Sequence, residues 1–279
     1  MAAKKQEEQP LDIDEFRIKP GEDVDLIKWD AGDTSEAPAG KKKSKKIEDD
    51  LDERLSNLQE MLYAEHKHKL LVILQAMDTG GKDGVIRRVF NGINPAGVRV
   101  AHFREPSEEE KERGFLWRAY KPIPAAGELV IYNRSHYEGV LVERVHKIVP
   151  EQVWKKRYGE IVEFENILVS EGIKILKFYL HITFEEQKER IMERLQDPTK
   201  EWKFSVDDIQ ERKLWPEYMK AYQDALKNTS TENSPWYVVP ANHKWFRDLL
   251  VATTIVETLE AMNMHYPRLS IDPKSIKLK

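Results

Sequence analysis

Five short, mostly apolar segments alternate along the chain with segments of helical periodicity. The apolar segments lie at 70–74, 98–100, 128–132, 173–182 and 236–239. Runs of this length and composition are typical of strands that are buried on both faces of a parallel sheet. Their alternation with helices predicts an α/β fold in which helices cover both faces of the sheet.

Apolar stripes and capping residues predict the helices between these strands. Leu51, Leu55, Leu58 and Leu62 recur at steps of three and four residues, which places them on one helical face. Ser107 is a typical N-cap, and it is followed by three glutamates where the helix dipole favours negative charge. The further helices are predicted from Gly81 and over 107–119, 150–171, 184–195 and 245–259.

The two ends of the chain depart from this pattern. Residues 1–48 combine scattered apolar side chains with the lysine run at 41–46, and they predict an irregular N-terminal extension that drapes over the domain. The lysines are suited to a polyanion, but such a run is more often a solvated linker. The α/β domain is predicted over 49–266, and 267–279 are predicted to form a C-terminal tail.

A polar segment separates the last two predicted strands. Residues 196–235 carry many charged side chains, with Trp202, Phe204, Trp215 and Tyr218 as aromatic anchors. Ligands bind at the C-terminal edge of a parallel sheet, so an insertion there predicts a mobile lid over the site. The predicted lid covers about 190–235. A helical excursion that packs and never moves has the same pattern, so both interpretations stay open.

Composition restricts the partners and the chemistry. Lys and Arg total 45 against 49 Asp and Glu, which gives a formal net charge of −4. This balance gives no reason to expect a nucleic acid or a membrane as partner, so an anion site must be a local concentration of positive charge. The absence of cysteine excludes disulfides, thiolate metal sites and cysteine nucleophiles. No apolar stretch reaches the roughly 18 residues of a membrane span and no secretion signal opens the chain, so a cytoplasmic protein is expected.

The segment Gln75–Gly84 is the strongest candidate for chemistry. A Walker A loop has Gly, four residues, Gly, Lys and then Ser or Thr, and its backbone N–H groups hold phosphates. Gly81 and Lys82 occupy the expected positions, between a predicted strand and a predicted helix. Ala76 replaces the first glycine, and Asp83 replaces the hydroxyl that would hold magnesium. Phosphate binding is favoured over an ordinary glycine-rich turn.

Acidic residues in and near this loop suggest a metal. A carboxylate repels phosphate unless a cation intervenes, so Asp78 is a metal ligand, a group that faces a second substrate, or a residue that stabilises the turn. The strand at 128–132 is followed by Asn133, where P-loop enzymes have an acid that helps to hold magnesium. Glu138 would supply the missing charge, and Arg134 suits a bidentate phosphate contact.

Four cations near the polar segment form a third candidate group. Arg190 and Arg194 are four residues apart on a predicted helix and therefore share a face. Together with Lys200 and Lys203, they are suited to close on phosphates as arginine fingers do. Glu186 lies four residues before Arg190, so ordinary surface ion pairs are the alternative.

Taken together, these segments resemble the second family of polyphosphate kinases, the polyphosphate-dependent nucleotide phosphotransferases. The resemblance covers about residues 11–266 and is carried by four ordered blocks, at 75–84, 127–138, 197–205 and 234–247. It implies a P-loop kinase fold similar to that of thymidylate kinases, with a parallel sheet flanked by helices and a helical lid.

The resemblance also implies an activity. The family transfers the terminal phosphoryl group of inorganic polyphosphate to a nucleoside diphosphate or monophosphate, so that ADP or AMP leads to ATP. The reaction is reversible and uses Mg²⁺, with Mn²⁺ as a substitute. A homo-oligomer, either a dimer or a tetramer, is expected.

Roles for individual residues follow from the same resemblance. The catalytic residues are expected to be Asp78, Lys82, Arg134, Glu138 and Arg194. The nucleotide is expected at Asp78, Asn133, Arg134 and Glu138, and the metal at Asp78 and Glu138. Polyphosphate is expected at Gly80, Gly81, Lys82, Asp83, Gly84, Arg87, Arg190, Arg194 and Lys203.

One departure from the family pattern bears on the substrate. Many members have Asp-Arg-Ser-Trp where this chain has Asn133-Arg134-Ser135-His136. The present version resembles the subgroup that accepts both nucleoside mono- and diphosphates, in which Glu138 would compensate for the missing aspartate. Asn133→Asp is then expected to return a carboxylate to the strand end. The alternatives are an ATP-dependent kinase of a small molecule and a non-catalytic polyphosphate-binding protein.

Overall fold

The computed structural model describes residues 11–37, 41–271 and 276, without the side chains of 41–43. Within that part of the chain, six strands form one sheet. They are β1 (Arg17–Ile18), β2 (Lys69–Ala76), β3 (Val98–His102), β4 (Leu129–Asn133), β5 (Ile173–His181) and β6 (Trp236–Pro240). Their order across the sheet is β1-β6-β5-β2-β4-β3, so the strand before the glycine-rich loop is central.

The pairing of the strands confirms the predicted fold class. Strands β2 to β6 correspond to the five predicted strands and are mutually parallel. Strand β1 pairs antiparallel with β6 at one edge of the sheet. It was not predicted, because two residues are too few to show a periodicity.

Helices connect the strands and cover the sheet. The described α-helices are α1 (Lys41–Glu65), α2 (Lys82–Val89), α3 (Glu108–Lys111), α4 (Trp117–Tyr120), α5 (Val142–Val145), α6 (Glu151–Ser170), α7 (Phe184–Gln196), α8 (Asp207–Lys213), α9 (Trp215–Thr229) and α10 (Lys244–Ala261). Short 3₁₀ turns lie at Ile13–Phe16, Pro95–Gly97, His136–Gly139 and Glu201–Lys203. Among the described residues, no helix is long and apolar enough to span a membrane.

Strand β2 is buried on both faces, as its continuous apolar run predicts. Leu70, Val72 and Leu74 pack into one core with residues of α1, α2 and α10. Leu71 and Ile73 point the other way, into a second core with residues of α6 and α9. Because β2 to β6 are parallel, their C-terminal ends meet at one edge, and the glycine-rich loop lies there.

The N-terminal segment drapes over the domain, as predicted. Over 11–37 it is largely irregular, and it buries Phe16, Ile18 and Leu26 against the two cores. At its far end it reaches the loop edge of the sheet, where Ala31 O accepts a hydrogen bond from the Asn242 backbone N–H.

The irregular extension ends earlier than predicted. Helix α1 begins at Lys41, so the lysine run forms its first turns and the prediction of irregular chain up to residue 48 is wrong there. Lysine is a good helix former, and Leu51 and Leu55 anchor the helix in the core beside α10. Residues 1–10, and most of the predicted tail beyond 271, lie outside the described residues.

The single helix predicted over 107–119 is two short helices. Ser107 caps α3 with a capping box formed with Glu110, as its sequence indicates. The chain then leaves helical geometry around Gly114 and resumes it in α4 at Trp117. Glycine is a poor residue for a helix interior, and this explains the break.

The polar segment before β6 divides into two parts. Helix α9 buries Tyr218, Tyr222 and Leu226 in the second core and packs against α6, so it belongs to the body of the domain. The part at 197–213, with α8, lies over the loop edge of the sheet. The predicted lid of about 190–235 is therefore smaller, because the aromatic anchors of α9 are core residues.

Candidate active site

The glycine-rich loop connects β2 directly to α2. Gly81 is the N-cap of α2 with φ of +106°, a left-handed conformation that glycine adopts without strain. A Cβ atom at this position would collide with Nη1 of Arg247. The loop therefore keeps its shape only with glycine here, and it aims the N-terminus of α2 at the edge of the sheet.

Lys82 is folded back into the loop that precedes it. Its Nζ donates to the backbone carbonyls of Ala76 at 2.9 Å and Met77 at 3.4 Å. Burial, together with the charge of Arg134, lowers the pKa of Lys82 to about 8. The ammonium group is thus held against the backbone carbonyls at the beginning of the loop.

Arg134 joins the two predicted metal-binding carboxylates. Its Nη2 lies 2.5 Å from Asp78 Oδ1, and its Nη1 lies 3.5 Å from Glu138 Oε2. The residue follows β4 with φ of +59°, and backbone strain of this kind is often found at functional sites. The strained turn brings residues from two different loops into one cluster.

The two carboxylates differ in their surroundings. Burial raises the pKa of Asp78, but the positive charges of Arg134 and Lys82 outweigh it and hold that pKa below the ordinary value. Burial raises the pKa of Glu138 above its ordinary value, and the Arg134 charge only partly opposes this. Glu138 also accepts a hydrogen bond from Gln75 Nε2 at 3.2 Å.

A buried network supports the turn that carries Glu138. Lys177 Nζ donates to Glu165 Oε2 at 2.6 Å, to the Tyr137 hydroxyl at 3.0 Å and to Thr229 O at 2.7 Å. The Tyr137 hydroxyl in turn donates to Glu165 Oε1 at 2.8 Å. Four elements are thus joined directly behind Glu138, which fixes its backbone.

Asp83 and Asn133 are in direct contact. Asn133 Nδ2 donates to Asp83 Oδ1 at 2.7 Å. The other carboxylate oxygen, Oδ2, lies 3.7 Å from Nζ of Lys203. Lys203 belongs to the part of the chain at 197–213 that lies over the loop edge of the sheet, here called the overhanging segment. Partial burial raises the pKa of Asp83, but the Asn133 hydrogen bond and the Lys203 charge outweigh it, so the net shift is downward.

Arg194 faces the site, as predicted. Its Nη1 lies 3.4 Å from the carbonyl oxygen of Lys203 and 3.6 Å from Asp208 Oδ2. Burial and the negative charge of Asp78 raise the pKa of Asp208. Helix α7 therefore brings a second arginine to the loop, and the overhanging segment brings an acid.

Arg190 does not face the site, and its binding of polyphosphate stays a prediction. Its guanidinium donates to Glu186 and to the backbone carbonyls of Thr79, Gly80, Ala241 and Asn242. The side chain is buried, and its role is to hold the loop against the chain that follows β6. Sequence spacing alone cannot separate two arginines that share one helical face.

Arg247 was missed by the sequence analysis. It lies in the first turn of α10, buried behind the loop, and its Nε and Nη2 contact Asp248 Oδ1 at 2.8 and 2.7 Å. Burial raises the pKa of Asp248 to about 6. A cation more than 160 residues from the loop in sequence has no local pattern that connects it to the loop.

These residues line a cavity of about 640 Å³, here called the loop cavity. Arg190 is the one predicted polyphosphate-binding residue that does not line it. Six of its lining residues are Lys or Arg and three are Asp, so positive charge exceeds negative by three. The lining residues are Asp78, Thr79, Gly80, Gly81, Lys82, Asp83, Gly84, Arg87, Asn133, Arg134, Arg194, Thr199, Lys200, Trp202, Lys203 and Asp208.

A second cavity of about 540 Å³, here called the side cavity, opens on the other side of Arg134. Phe103 and Phe115 give it aromatic walls, while Glu138 and Arg118 add polar groups. Arg134 lines both cavities, and a third, small cavity of about 20 Å³ is lined in part by Asp78, Arg134 and Glu138. Two molecules bound in the two cavities would meet at Arg134.

The acidic residues are compatible with a divalent cation that also takes ligands from its substrates. Among the described residues, no three His, Asp or Glu side chains are grouped so as to hold a metal by themselves. Mg²⁺ is commonly bound by one or two carboxylates together with phosphates and water. Asp78 and Glu138, on two sides of Arg134, fit this kind of site.

Comparisons with known proteins agree with this geometry. A family model described as Polyphosphate kinase 2 (PPK2) matches residues 39–267. An AMP/ADP-polyphosphate phosphotransferase of Meiothermus ruber is 53% identical over 253 residues, which cover 91% of this chain and 95% of that protein. An ADP-polyphosphate phosphotransferase of Rhodopseudomonas palustris is 43% identical over 267 residues, which cover 91% of each chain.

The similarity extends to three dimensions. The crystal structure of polyphosphate kinase 2 from Arthrobacter aurescens TC1 superposes with a TM-score of 0.90 at 39% identity, covering 93% of both chains. On the family match, the close relatives and the shared structure, the chain belongs to the polyphosphate kinase 2 family.

Proposed function

We propose that this protein transfers the terminal phosphoryl group of inorganic polyphosphate to AMP and to ADP. The observation that carries the proposal is the position of Arg134 between two cavities of different character. The loop cavity is rich in cations and suits a linear polyanion. The side cavity is also lined by six Lys or Arg and four Glu side chains, but it adds the aromatic rings of Phe103 and Phe115, a combination that suits a nucleotide.

The residues support an in-line transfer at the junction of the cavities. A nucleotide phosphate oxygen forms the new bond to phosphorus, and the bond from that phosphorus to the bridging oxygen of the chain breaks. Both reactants are anionic, so alignment and neutralisation of charge provide most of the catalysis. Lys82, Arg134 and Arg194 provide positive charge, and no side-chain nucleophile is required.

Mg²⁺ is part of the proposal. It would be held by Asp78 and Glu138 with phosphate oxygens, and when bound it neutralises charge on the transferred group. Mn²⁺ has a similar preference for oxygen ligands and is expected to substitute. The expected homo-oligomer, a dimer or a tetramer, stays a prediction that light scattering on the purified protein measures.

The direct test is ATP formation from AMP, and separately from ADP, with polyphosphate and Mg²⁺. We expect ATP from both acceptors and none in excess chelator. Phosphorylation that requires ATP as the donor and ignores polyphosphate would favour the small-molecule kinase instead. Binding without turnover would favour the non-catalytic polyphosphate-binding protein.

Glu138→Gln tests the use of the shorter acceptor. Glu138 and Asp78 together fix Arg134, and AMP has one phosphate fewer with which to stay aligned there. The Glu138–Arg134 ion pair is 3.5 Å long, and interactions within such networks amount to about 0.5–3 kcal/mol, so we expect kcat/KM for AMP to fall from severalfold up to about 100-fold. Steady-state kinetics with ADP is the internal control, and an equal fall for both acceptors would contradict this role.

A further inference from the structure

Two positions of the phosphate-binding loop region have their acidic and neutral side chains interchanged relative to other P-loop enzymes. They are the residue after the loop lysine and the residue at the end of β4. P-loop NTPases hold Mg²⁺ with a Ser or Thr hydroxyl directly after the lysine and with an aspartate at the end of a strand. In this protein the first position is Asp83 and the second is Asn133. The acid is on the loop and the neutral side chain is on the strand.

The structure shows that the two positions still work as a pair. Strand β4 lies beside β2 in parallel register, with Asn133 opposite Leu74. Asn133 is buried, and its Nδ2 donates to Asp83 Oδ1 at 2.7 Å. The amide therefore fixes one carboxylate oxygen from a position that the sheet itself determines.

The other carboxylate oxygen faces the loop cavity. The Asp83 side chain is 59% exposed, and its Oδ2 lies 3.7 Å from Lys203 Nζ, beyond hydrogen-bond length. A carboxylate on the wall of a cavity for a polyanion repels that ligand unless a cation stands between them. The arrangement thus fixes one oxygen for orientation and leaves the other opposite a cation, which in this structure is the Lys203 ammonium at 3.7 Å and which a divalent cation bound with polyphosphate would replace.

We propose that Asp83 binds the divalent cation that accompanies polyphosphate, and that Asn133 is the residue that positions it. The proposal rests on the proposed function, because that function identifies polyphosphate as the ligand of the loop cavity. It differs from the role of Glu138, which lies on the side-cavity side of Arg134. Under this proposal, Asn133→Asp alone would set two carboxylates against each other.

A reciprocal exchange tests the proposal most sharply. Asp83→Asn removes the carboxylate and should lower kcat about 100-fold or more, as for the loss of one group that stabilises charge. The double variant Asp83→Asn with Asn133→Asp returns the carboxylate to the strand, with the new amide as its donor. We expect it to recover kcat to within tenfold of the wild type. A double variant no better than Asp83→Asn would overturn the proposal.

A measurement without turnover separates metal binding from catalysis. Mn²⁺ affinity is followed by electron paramagnetic resonance with tripolyphosphate and no nucleotide. Asp83→Asn should weaken Mn²⁺ binding at least tenfold, Asn133→Ala should weaken it less, and the double exchange should restore it. Unchanged Mn²⁺ affinity in Asp83→Asn would overturn the assignment of Asp83 as a ligand.

The controls keep this test independent of folding and of the proposed function. Asp207→Asn removes an exposed carboxylate of the overhanging segment that lies outside both cavities, and it should change neither kcat nor the Mn²⁺ affinity. Circular dichroism and thermal melting establish that each variant is folded. A wild type that makes no ATP from polyphosphate would refute the proposed function, while the Mn²⁺ measurement would still test Asp83.

Discussion

Arg190 and Arg194 lie one helical turn apart on α7, yet Arg194 faces the loop cavity and Arg190 holds the loop from behind. Arg190→Ala leaves several buried carbonyls without their donor, and we expect a loss of about 3 kcal/mol in the free energy of unfolding. Arg194→Ala removes a cation that lines the loop cavity, and on the proposed function kcat should fall by about two to three decades.

Urea unfolding and steady-state kinetics on the two variants check this contrast. The Arg194→Ala protein should keep the unfolding midpoint of the wild type, since its side chain makes few contacts with the body. If Arg190→Ala unfolds like the wild type and only turnover falls, the role of Arg190 as a support for the loop is wrong.

Lys82 should give the reaction a basic limb near pH 8. Burial lowers its pKa from 10.5 to about 8, and only the protonated form attracts phosphate. We therefore expect kcat/KM for polyphosphate to fall as the pH rises through about 8. Between this pH and 10.5 the unfolded chain binds more protons at Lys82, so the contribution of Lys82 to stability should rise with pH.

The control for this limb is Lys82→Arg, whose guanidinium stays charged throughout the range. Its pH profile should lose the limb near 8, even though its activity is lower. Lys82→Ala should lower kcat by about two to three decades with a native circular dichroism spectrum. If the basic limb of the pH profile persists in Lys82→Arg, a group other than Lys82 is responsible for it.

At the scale of elements, the two parts of the polar segment should respond differently to ligands. Residues 197–213 lie over the loop cavity, and the Trp202 side chain there is 77% exposed. Helix α9 is held in the core by Tyr218 and Tyr222. Hydrogen exchange with polyphosphate and Mg²⁺ should slow in 197–213 and stay unchanged in α9, whereas equal protection of both would contradict a small lid.

The elements that could be predicted from the sequence are those with a local pattern. All the parallel strands, the capped start of α3 and the loop at 75–84 follow from period and composition. The lid boundary could not be predicted, because the aromatic residues of α9 look the same as surface anchors until their packing partners are known. Local patterns likewise identify Asp78 and Arg134, but not the long-range contacts of Arg190 and Arg247.

At the scale of the whole molecule, the N-terminal segment is part of the core. Phe16 is 3% exposed and packs edge-on against Phe246 of α10. Phe16→Ala should destabilise the protein by about 3–5 kcal/mol, because it leaves a cavity in the core. Ile27 belongs to the same segment and is 93% exposed, so Ile27→Ala is the matched control and should unfold like the wild type. Equal unfolding curves for the two variants would contradict this.

The pairing of charges across the loop cavity has a consequence for which anions the protein accepts. Arg134 is paired with Asp78 and Glu138, Arg194 lies near Asp208, and Lys203 lies near Asp83. In the absence of a divalent cation, these acids therefore compete with a phosphate for the same positive charges. A single orthophosphate displaces one such acid, so its net free energy of binding is small. Linked phosphates displace several acids but lose translational freedom only once, so they bind more tightly. The carboxylates therefore favour long polyphosphate chains, because they weaken the binding of every short anion.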